Sequence, residues 1–235
     1  MAKKARTPPP PRRPVQAPKQ RSGERAPSER RTRLWLALFS LSGFVILGAL
    51  IAFVALGSGG GGKASTIGIS SKDCTERSYP GLEPNHLANP AAKVKYNSDP
   101  PSSGPHYQTP AAWNIYDDPI RQTILVHNLE HGGIVIQYGP DVSEEDVDKL
   151  RSFWQDDPNG LVVAPNPKLD AKVVLTAWNA PEYPQDDLEN VDPGNGYVLT
   201  CTKFDEDTFA EFRDERRNKA GERFPSVNDM APGTQ

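Results

Sequence analysis

Apolar residues fall along the chain in distinct patterns, and the longest apolar run lies near the N-terminus. Residues 34–56, "LWLALFSLSGFVILGALIAFVAL", contain no charged residue and only two serines as polar residues. A helix of this length is roughly 34 Å long, enough to cross a hydrocarbon core of about 30 Å. The pattern therefore predicts one transmembrane helix over residues 34–56.

Beyond residue 72, short apolar runs alternate with segments of helical spacing. Runs rich in β-branched residues predict strands, namely "AKVKYN", "RQTILVH", "GIVIQYG", "GLVVAP", "KVVLTAW" and "GYVLTC". Gly132 and Gly133 predict a hairpin or a bulged bend between the second run and the third. Helical periodicity and capping residues predict two helices, in "SEEDVDKLRSFWQDD" and "DEDTFAEFRDERRNK". The predicted fold class is α+β, with two helices and a mostly antiparallel sheet.

The formal net charge of −3 conceals a strong asymmetry between the two ends of the chain. Residues 1–33 contain eleven Lys and Arg against two Glu, a net charge of 11 − 2 = +9, so the remaining residues sum to −12. This basic segment has seven prolines and no aromatic residue, so it cannot bury enough surface to fold. We expect a disordered tail, and the absence of aromatic partners argues against nucleic-acid binding.

The positive charges also predict the orientation of the chain in a membrane. Nearly all the nearby Lys and Arg precede the apolar run, so the positive-inside rule places residues 1–33 in the cytoplasm. Residues 57–71 form a flexible Gly and Ser linker, and residues 72–235 form an extracytoplasmic domain. A cleaved signal peptide would have a shorter apolar core and a small-residue cleavage site, but the segment "SERRTRLW" leaves a twin-arginine signal as an alternative.

The chain has two cysteines, Cys74 and Cys201, which lie near the two ends of the predicted domain. In an oxidising exterior, an even pair without a CxxC spacing predicts a disulfide. Closing so long a loop would stabilise the fold by about 4 to 5 kcal/mol in the chain-entropy model. Two buried free thiols are the alternative.

All four histidines fall between residues 86 and 131, which suggests a shared site. His106 follows three prolines in "DPPSSGPHYQTP", a stiff loop of the kind that often presents binding residues. His127 and His131 would be roughly 13 Å apart on a strand but about 6 Å apart on a helical turn. A shared ion therefore requires the chain to leave β geometry between these two residues.

Converging imidazoles would suit zinc or copper(II), with His86, His106, His127 and His131 as candidate ligands. Glu130 could be a further ligand, fix a histidine tautomer or act as a general base. Met230 could add a soft ligand for copper(I). A hydrogen-bonded structural cluster without metal is the alternative.

The string "HNLEH" also matches the H-x-x-E-H pattern of inverted zinc peptidases, in which two histidines bind zinc and the glutamate polarises water. Those sites lie within long helices. Here a β-branched run precedes the motif and a glycine pair follows it, so the context argues against a peptidase.

Three segments, "NSDPPSSGPHY", "VHNLEHGGIVIQYGPD" and "ERFPSVNDMAPG", resemble the bacterial family catalogued as domain of unknown function 3105. The resemblance covers roughly residues 70–235. It implies an N-terminal membrane segment ahead of one exported domain, and it marks His106, His127, Glu130 and His131 as signature positions. It implies no activity.

Three functions therefore remain open at the level of sequence. The first is a membrane-anchored module that binds a transition metal for handling or sensing. The second is a metal-assisted hydrolase with Glu130 as general base. The third is a cell-envelope module that recruits a protein partner through an exposed apolar patch, with Trp113, Tyr116 and Tyr183 as candidates.

Overall fold

The computed structural model describes residues 65–184 and 190–235. The predicted cytoplasmic tail (residues 1–33) and transmembrane helix (residues 34–56) lie outside these residues, as does most of the predicted linker. Within the described ranges, no helix has both the length and the apolar character needed to cross a membrane.

Eight strands are formed by the described residues. They are β1 (Ser65–Ser70), β2 (Cys74–Pro80), β3 (His86–Leu87), β4 (His106–Tyr107), β5 (Ile134–Tyr138), β6 (Leu161–Pro165), β7 (Val173–Asn179) and β8 (Asn195–Cys201). Six of them form one sheet in the order β1-β2-β8-β7-β5-β6, and β3 and β4 form a separate parallel pair. All neighbours in the large sheet are antiparallel except β5 and β6. The predicted α+β class with a mostly antiparallel sheet is confirmed.

Three α-helices accompany these strands within the described ranges, α1 (Gln122–Glu130), α2 (Glu144–Asp156) and α3 (Glu206–Arg216), and Val227–Asp229 forms a short 3-10 helix. The predicted helices correspond to α2 and α3. Ser143 caps α2 by accepting a hydrogen bond from the backbone N–H of Asp146, and Asp205 caps α3 in the same way. Because α1 was not predicted as a helix, the expectation of two helices is wrong by one.

The strand predicted for "RQTILVH" is wrong, because this segment forms α1. Nearly every side chain from Thr123 to Glu130 is buried, so the run shows neither the alternation of a half-buried strand nor the polar face of a surface helix. A continuous apolar run of this length does not distinguish a buried strand from a buried helix. The predicted hairpin at Gly132 and Gly133 is therefore a helix-to-strand turn.

Two smaller expectations also need correction. The segment "AKVKYN" (residues 92–97) has no strand. The linker predicted for residues 57–71 overlaps β1, which pairs with β2, so the chain has already joined the sheet at Ser65 and not at residue 72.

The sheet separates two apolar clusters. One cluster contains Ile134 and Ile136 together with side chains of α2 and α3, and the other contains Val135 together with side chains of α1. Successive residues of β5 thus point to opposite faces, and both faces are covered. This explains why β5 is a continuous apolar run. It also places α1, which carries the HNLEH motif, on the face opposite α2 and α3.

The predicted disulfide is present. Cys74 and Cys201 are bonded across a sequence separation of 127 residues, and they lie directly opposite each other on β2 and β8. The bond therefore joins β2, next to the edge strand β1, to β8, its neighbour in the sheet.

Replacing Cys74 and Cys201 together with Ala is expected to lower the free energy of unfolding by about 4 kcal/mol, because the disulfide limits the freedom of a long loop in the unfolded chain. Urea unfolding followed by Trp fluorescence measures the change. A reductant should shift the midpoint of wild-type unfolding to that of the double variant. The double variant is the control, because a reductant should leave its own midpoint unchanged. Coincident unfolding curves of the oxidised wild type and the variant would contradict the expectation.

Candidate metal centre

The C-terminal turn of α1 brings His127 and His131 together. The two rings stack with centroids 4.7 Å apart, as expected for residues one helical turn apart. The chain does leave β geometry between them, as a shared site requires. Gly132 then adopts a φ of +85°, which lets the chain turn from α1 into β5, and Gly133 lies directly against the ring of Trp113.

The other two histidines arrive on the short parallel pair β3 and β4. His86 lies opposite His106 in the register of these strands, and their ring centroids are 4.8 Å apart. The hydroxyl of Tyr96 donates to the carbonyl of Pro105 at 2.7 Å, which holds the proline-rich loop in place. The ring of His106 is in turn 4.7 Å from that of His127, so the four imidazoles form one continuous group.

Glu130 completes the buried end of this group. Its Oε2 lies 2.8 Å from Nε2 of His106 and 3.7 Å from Nε2 of His86. The side chains of Glu130 and His106 are 1% and 0% exposed, whereas that of His86 is 48% exposed. The group therefore runs from a buried interior to the protein surface at His86.

Three of the four rings use Nδ1 to hold a backbone carbonyl. Nδ1 of His106 is 2.8 Å from the oxygen of Gly104, Nδ1 of His127 is 2.7 Å from that of Tyr107, and Nδ1 of His131 is 3.2 Å from that of Glu222. Because a carbonyl only accepts hydrogen bonds, Nδ1 must carry the proton in each ring. In the neutral form each Nε2 then presents a lone pair, the tautomer commonly found in metal-bound histidines.

This tautomer leaves one contact unexplained by protein atoms alone. Nε2 of His106 and Oε2 of Glu130 are both buried, and neither makes a hydrogen bond to any described residue. The two atoms are 2.8 Å apart, a contact that is unfavourable unless a proton or a cation compensates the charge of the carboxylate.

Burial changes the pKa values of two residues in these surroundings. It lowers the pKa of His127 from 6.5 to about 3, although the hydrogen bond to Tyr107 acts in the opposite direction. His127 is therefore neutral at physiological pH, with Nε2 available to a cation. Burial also raises the pKa of Glu222, and the nearby charge of Glu130 adds to that rise.

The ligand atoms fall into two overlapping groups. His86, His106, His127 and Glu130 form one, which we call the inner group; His127, His131 and Glu222 form the other, which we call the outer group. Within each group the potential ligand atoms lie within 4.8 Å of one another. Either group has a composition and spacing that could hold a metal ion.

Glu222 was missed by the sequence analysis as a site residue. It lies 91 positions after His131, so no local spacing connects the two residues. The available signal was its position at the start of "ERFPSVNDMAPG", one of the three segments that carry the family resemblance.

Other residues considered as candidates lie elsewhere. Met230 is fully buried in the apolar cluster beneath α1, so it packs in the core. The exposed apolar patch predicted from Trp113, Tyr116 and Tyr183 is wrong. Trp113 and Tyr183 are buried, and Tyr116 packs against the same cluster.

Comparison with known proteins gives one match. The sequence model of the family described as "Protein of unknown function (DUF3105)" matches residues 88–229, more than half of the chain. The matched range includes all the residues of both groups except His86. No curated protein and no solved structure matches the chain. On the strength of the family match, the chain belongs to the DUF3105 family, whose members share a domain of unknown function.

Proposed function

We propose that the domain binds a transition-metal ion through the inner group, His86, His106, His127 and Glu130. The observation that carries the proposal is the buried contact of Nε2 of His106 with Oε2 of Glu130, in which neither atom has a hydrogen-bond partner among the described residues. A cation bound to both atoms would supply the partner that each of them lacks. A buried polar atom without a partner is otherwise costly, by about 1 to 3 kcal/mol.

The spacing of the inner group fits an ion of the size of zinc. With bonds of about 2.0 to 2.2 Å to nitrogen and oxygen, neighbouring ligands of a tetrahedral ion are about 3.3 Å apart. The distances from Oε2 of Glu130 to the two imidazole nitrogens, 2.8 Å and 3.7 Å, lie on either side of that value. Small shifts of the side chains would therefore complete the coordination.

The donor atoms favour zinc or copper(II) among the transition metals. Neutral imidazole and carboxylate are common ligands of both ions. Both cysteines are in the disulfide, so no thiolate competes for a softer ion. Met230, the residue considered for copper(I), lies in the apolar core.

Binding is favoured over hydrolysis by the position of Glu130. A general base must reach a water molecule that attacks the substrate. The carboxylate of Glu130 is buried against His106, which suits a ligand. We therefore favour a role in metal handling or sensing over the metal-assisted hydrolase. Burial of Trp113 and Tyr183 removes the patch on which the protein-recruiting alternative was based.

We further propose that the protein spans the cell membrane once and places this domain outside the cytoplasm, with the lipid bilayer as the partner of residues 34–56. The uncharged run of residues 34–56 and the basic residues before it support this topology. The disulfide adds support, because such bonds persist mainly in oxidising compartments.

Metal binding is testable with the full-length protein in detergent, stripped by a chelator and reloaded with zinc or copper(II). The wild type is expected to retain one ion per chain and to unfold at a higher temperature when loaded. Replacing His106 with Ala, or Glu130 with Gln, is expected to weaken binding by about 100-fold or more, since each change removes a proposed ligand.

The matched control is Glu145→Gln, which makes the same chemical change at an exposed site on α2 that belongs to neither group. Elemental analysis and thermal unfolding provide the two measurements. Equally low metal content in the wild type and in both site variants after reloading would refute the proposal.

Stability of the metal-free protein should depend on His127 at acid pH. Between pH 6.5 and about 3 the unfolded chain binds a proton at His127 while the folded chain does not, so the stability contribution of the neutral ring is lost as pH falls. Replacing His127 with Gln is expected to reduce the loss of stability between pH 6.5 and about 3. Urea unfolding at several pH values, with chelator present, measures it, and parallel profiles for the two proteins would contradict the expectation.

The proposed topology is testable with reporters fused to each end of the full-length chain in bacterial cells. Alkaline phosphatase at the C-terminus is expected to be active, because it requires an oxidising compartment to form its disulfides. Green fluorescent protein should fluoresce at the N-terminus. An active phosphatase at the N-terminus with a fluorescent protein at the C-terminus would show that the orientation is the reverse of the one proposed. Release of the protein from membranes by alkaline carbonate would refute the membrane anchor.

A further inference from the structure

The two ligand groups share one residue, His127. Nδ1 of His127 is committed to the carbonyl of Tyr107 at 2.7 Å, so only Nε2 can bind an ion. While that hydrogen bond is kept, His127 can serve the inner group or the outer group, but not two ions at once. The arrangement of the two groups therefore provides two alternative positions for a single ion.

Exposure differs between the two positions. In the outer group, the side chains of His131 and Glu222 are 20% and 32% exposed, whereas His106 and Glu130 of the inner group are almost fully buried. His131 and Glu222 also line a cavity of about 340 Å³, together with Glu182 and Tyr183. Six water molecules at about 30 Å³ each occupy about 180 Å³, so the cavity has room for a hydrated ion.

Movement between the positions would leave no charge uncompensated. Each group contains one carboxylate, Glu222 in the outer group and Glu130 in the inner group, beside two or three imidazoles. The ring of His127 lies 4.7 Å from the ring of His131 on one side and 4.7 Å from that of His106 on the other. An ion held by His127 could thus exchange its remaining ligands while it stays bound to this imidazole, and each of the two positions offers it one carboxylate.

We propose that a metal ion first binds the outer group, from the cavity, and then moves to the inner group by exchanging ligands around His127. This inference rests on the proposed function, since it assumes that the inner group binds the ion. It assigns Glu222 and His131 to loading and His106 and Glu130 to retention. No bond other than metal–ligand bonds is made or broken, and water molecules leave the ion as protein ligands replace them.

A second route to the inner group is open in the structure, because the side chain of His86 is also exposed. Direct binding at His86 would bypass the outer group. The two routes differ in the residues that limit the rate of loading, so kinetics can separate them.

The test uses the full-length protein in detergent, stripped of metal and mixed rapidly with zinc in the presence of a zinc-sensitive dye. Replacing Glu222 with Gln, and separately His131 with Gln, is expected to slow loading about tenfold or more, within the range of 10- to 100-fold seen when residues around a metal site are changed. The final content should remain one ion per chain, with a dissociation constant within about threefold of the wild type.

Glu182→Gln is the matched control, because Glu182 lines the same cavity, belongs to neither ligand group and is paired with Arg223 at 2.8 Å. It should load at close to the wild-type rate. Equal slowing in this control would show that general attraction to the cavity controls loading, which would overturn the relay.

Other outcomes separate the relay from the metal site itself. Wild-type loading rates in both Glu222→Gln and His131→Gln, with one ion bound, would overturn the relay and leave the inner site intact. Two ions per wild-type chain would overturn the sharing of His127. No ion in the wild type would remove the proposed function and the relay with it.

Discussion

The candidate site depends on one buried contact, that between His106 and Glu130. A carboxylate taken out of water costs several kcal/mol unless hydrogen bonds or a positive charge compensate it. Glu130 lies at the end of α1, and the ring facing it, His106, has already committed its proton to Gly104. The two residues come from different parts of the chain, so their contact also joins the proline-rich loop to α1.

Several polar groups around that contact make hydrogen bonds that fix the loop layer in place. The side-chain amide of Asn128 both donates to and accepts from the backbone of Ala111, at 2.7 Å and 2.9 Å. Ser98 accepts a hydrogen bond from the backbone of Ser102 within the loop that leads to His106. Fully paired polar groups of this kind fix a site on a rigid support. This support also fixes the positions of His106 and Glu130, whose side chains meet at 2.8 Å.

Much of the sheet and both surface helices could be predicted from the sequence, because there the local patterns match the local structure. Ser143 and Asp205 cap α2 and α3 through short-range contacts, and the runs that form β6, β7 and β8 are short and flanked by turn residues. Prediction failed at α1, where burial on almost all sides removes the periodicity that identifies a helix. It also failed for β3 and β4, whose two-residue pairing depends on the distant partner and leaves no local pattern.

Most residues of the candidate site could be identified from the sequence, but Glu222 and the arrangement of the residues could not. Clustering along the chain identified the four histidines and Glu130, and the helical alternative for His127 and His131 gave a spacing close to the one observed. Division into two groups could not be anticipated, because it depends on Glu222 and on which carbonyl each Nδ1 contacts. These contacts are long-range in sequence and arise from the tertiary fold.

The segment that follows α3 has a consequence for the order of events during synthesis. The backbone N–H of Asn218 donates to Gly132 and that of Glu222 donates to Glu130, while Gly233 donates to Trp113. These residues are translated after every histidine, yet they form one wall around the end of α1. The imidazoles thus emerge from the ribosome well before their enclosure exists, and the pocket acquires its final shape only after residues 218–233 have been made.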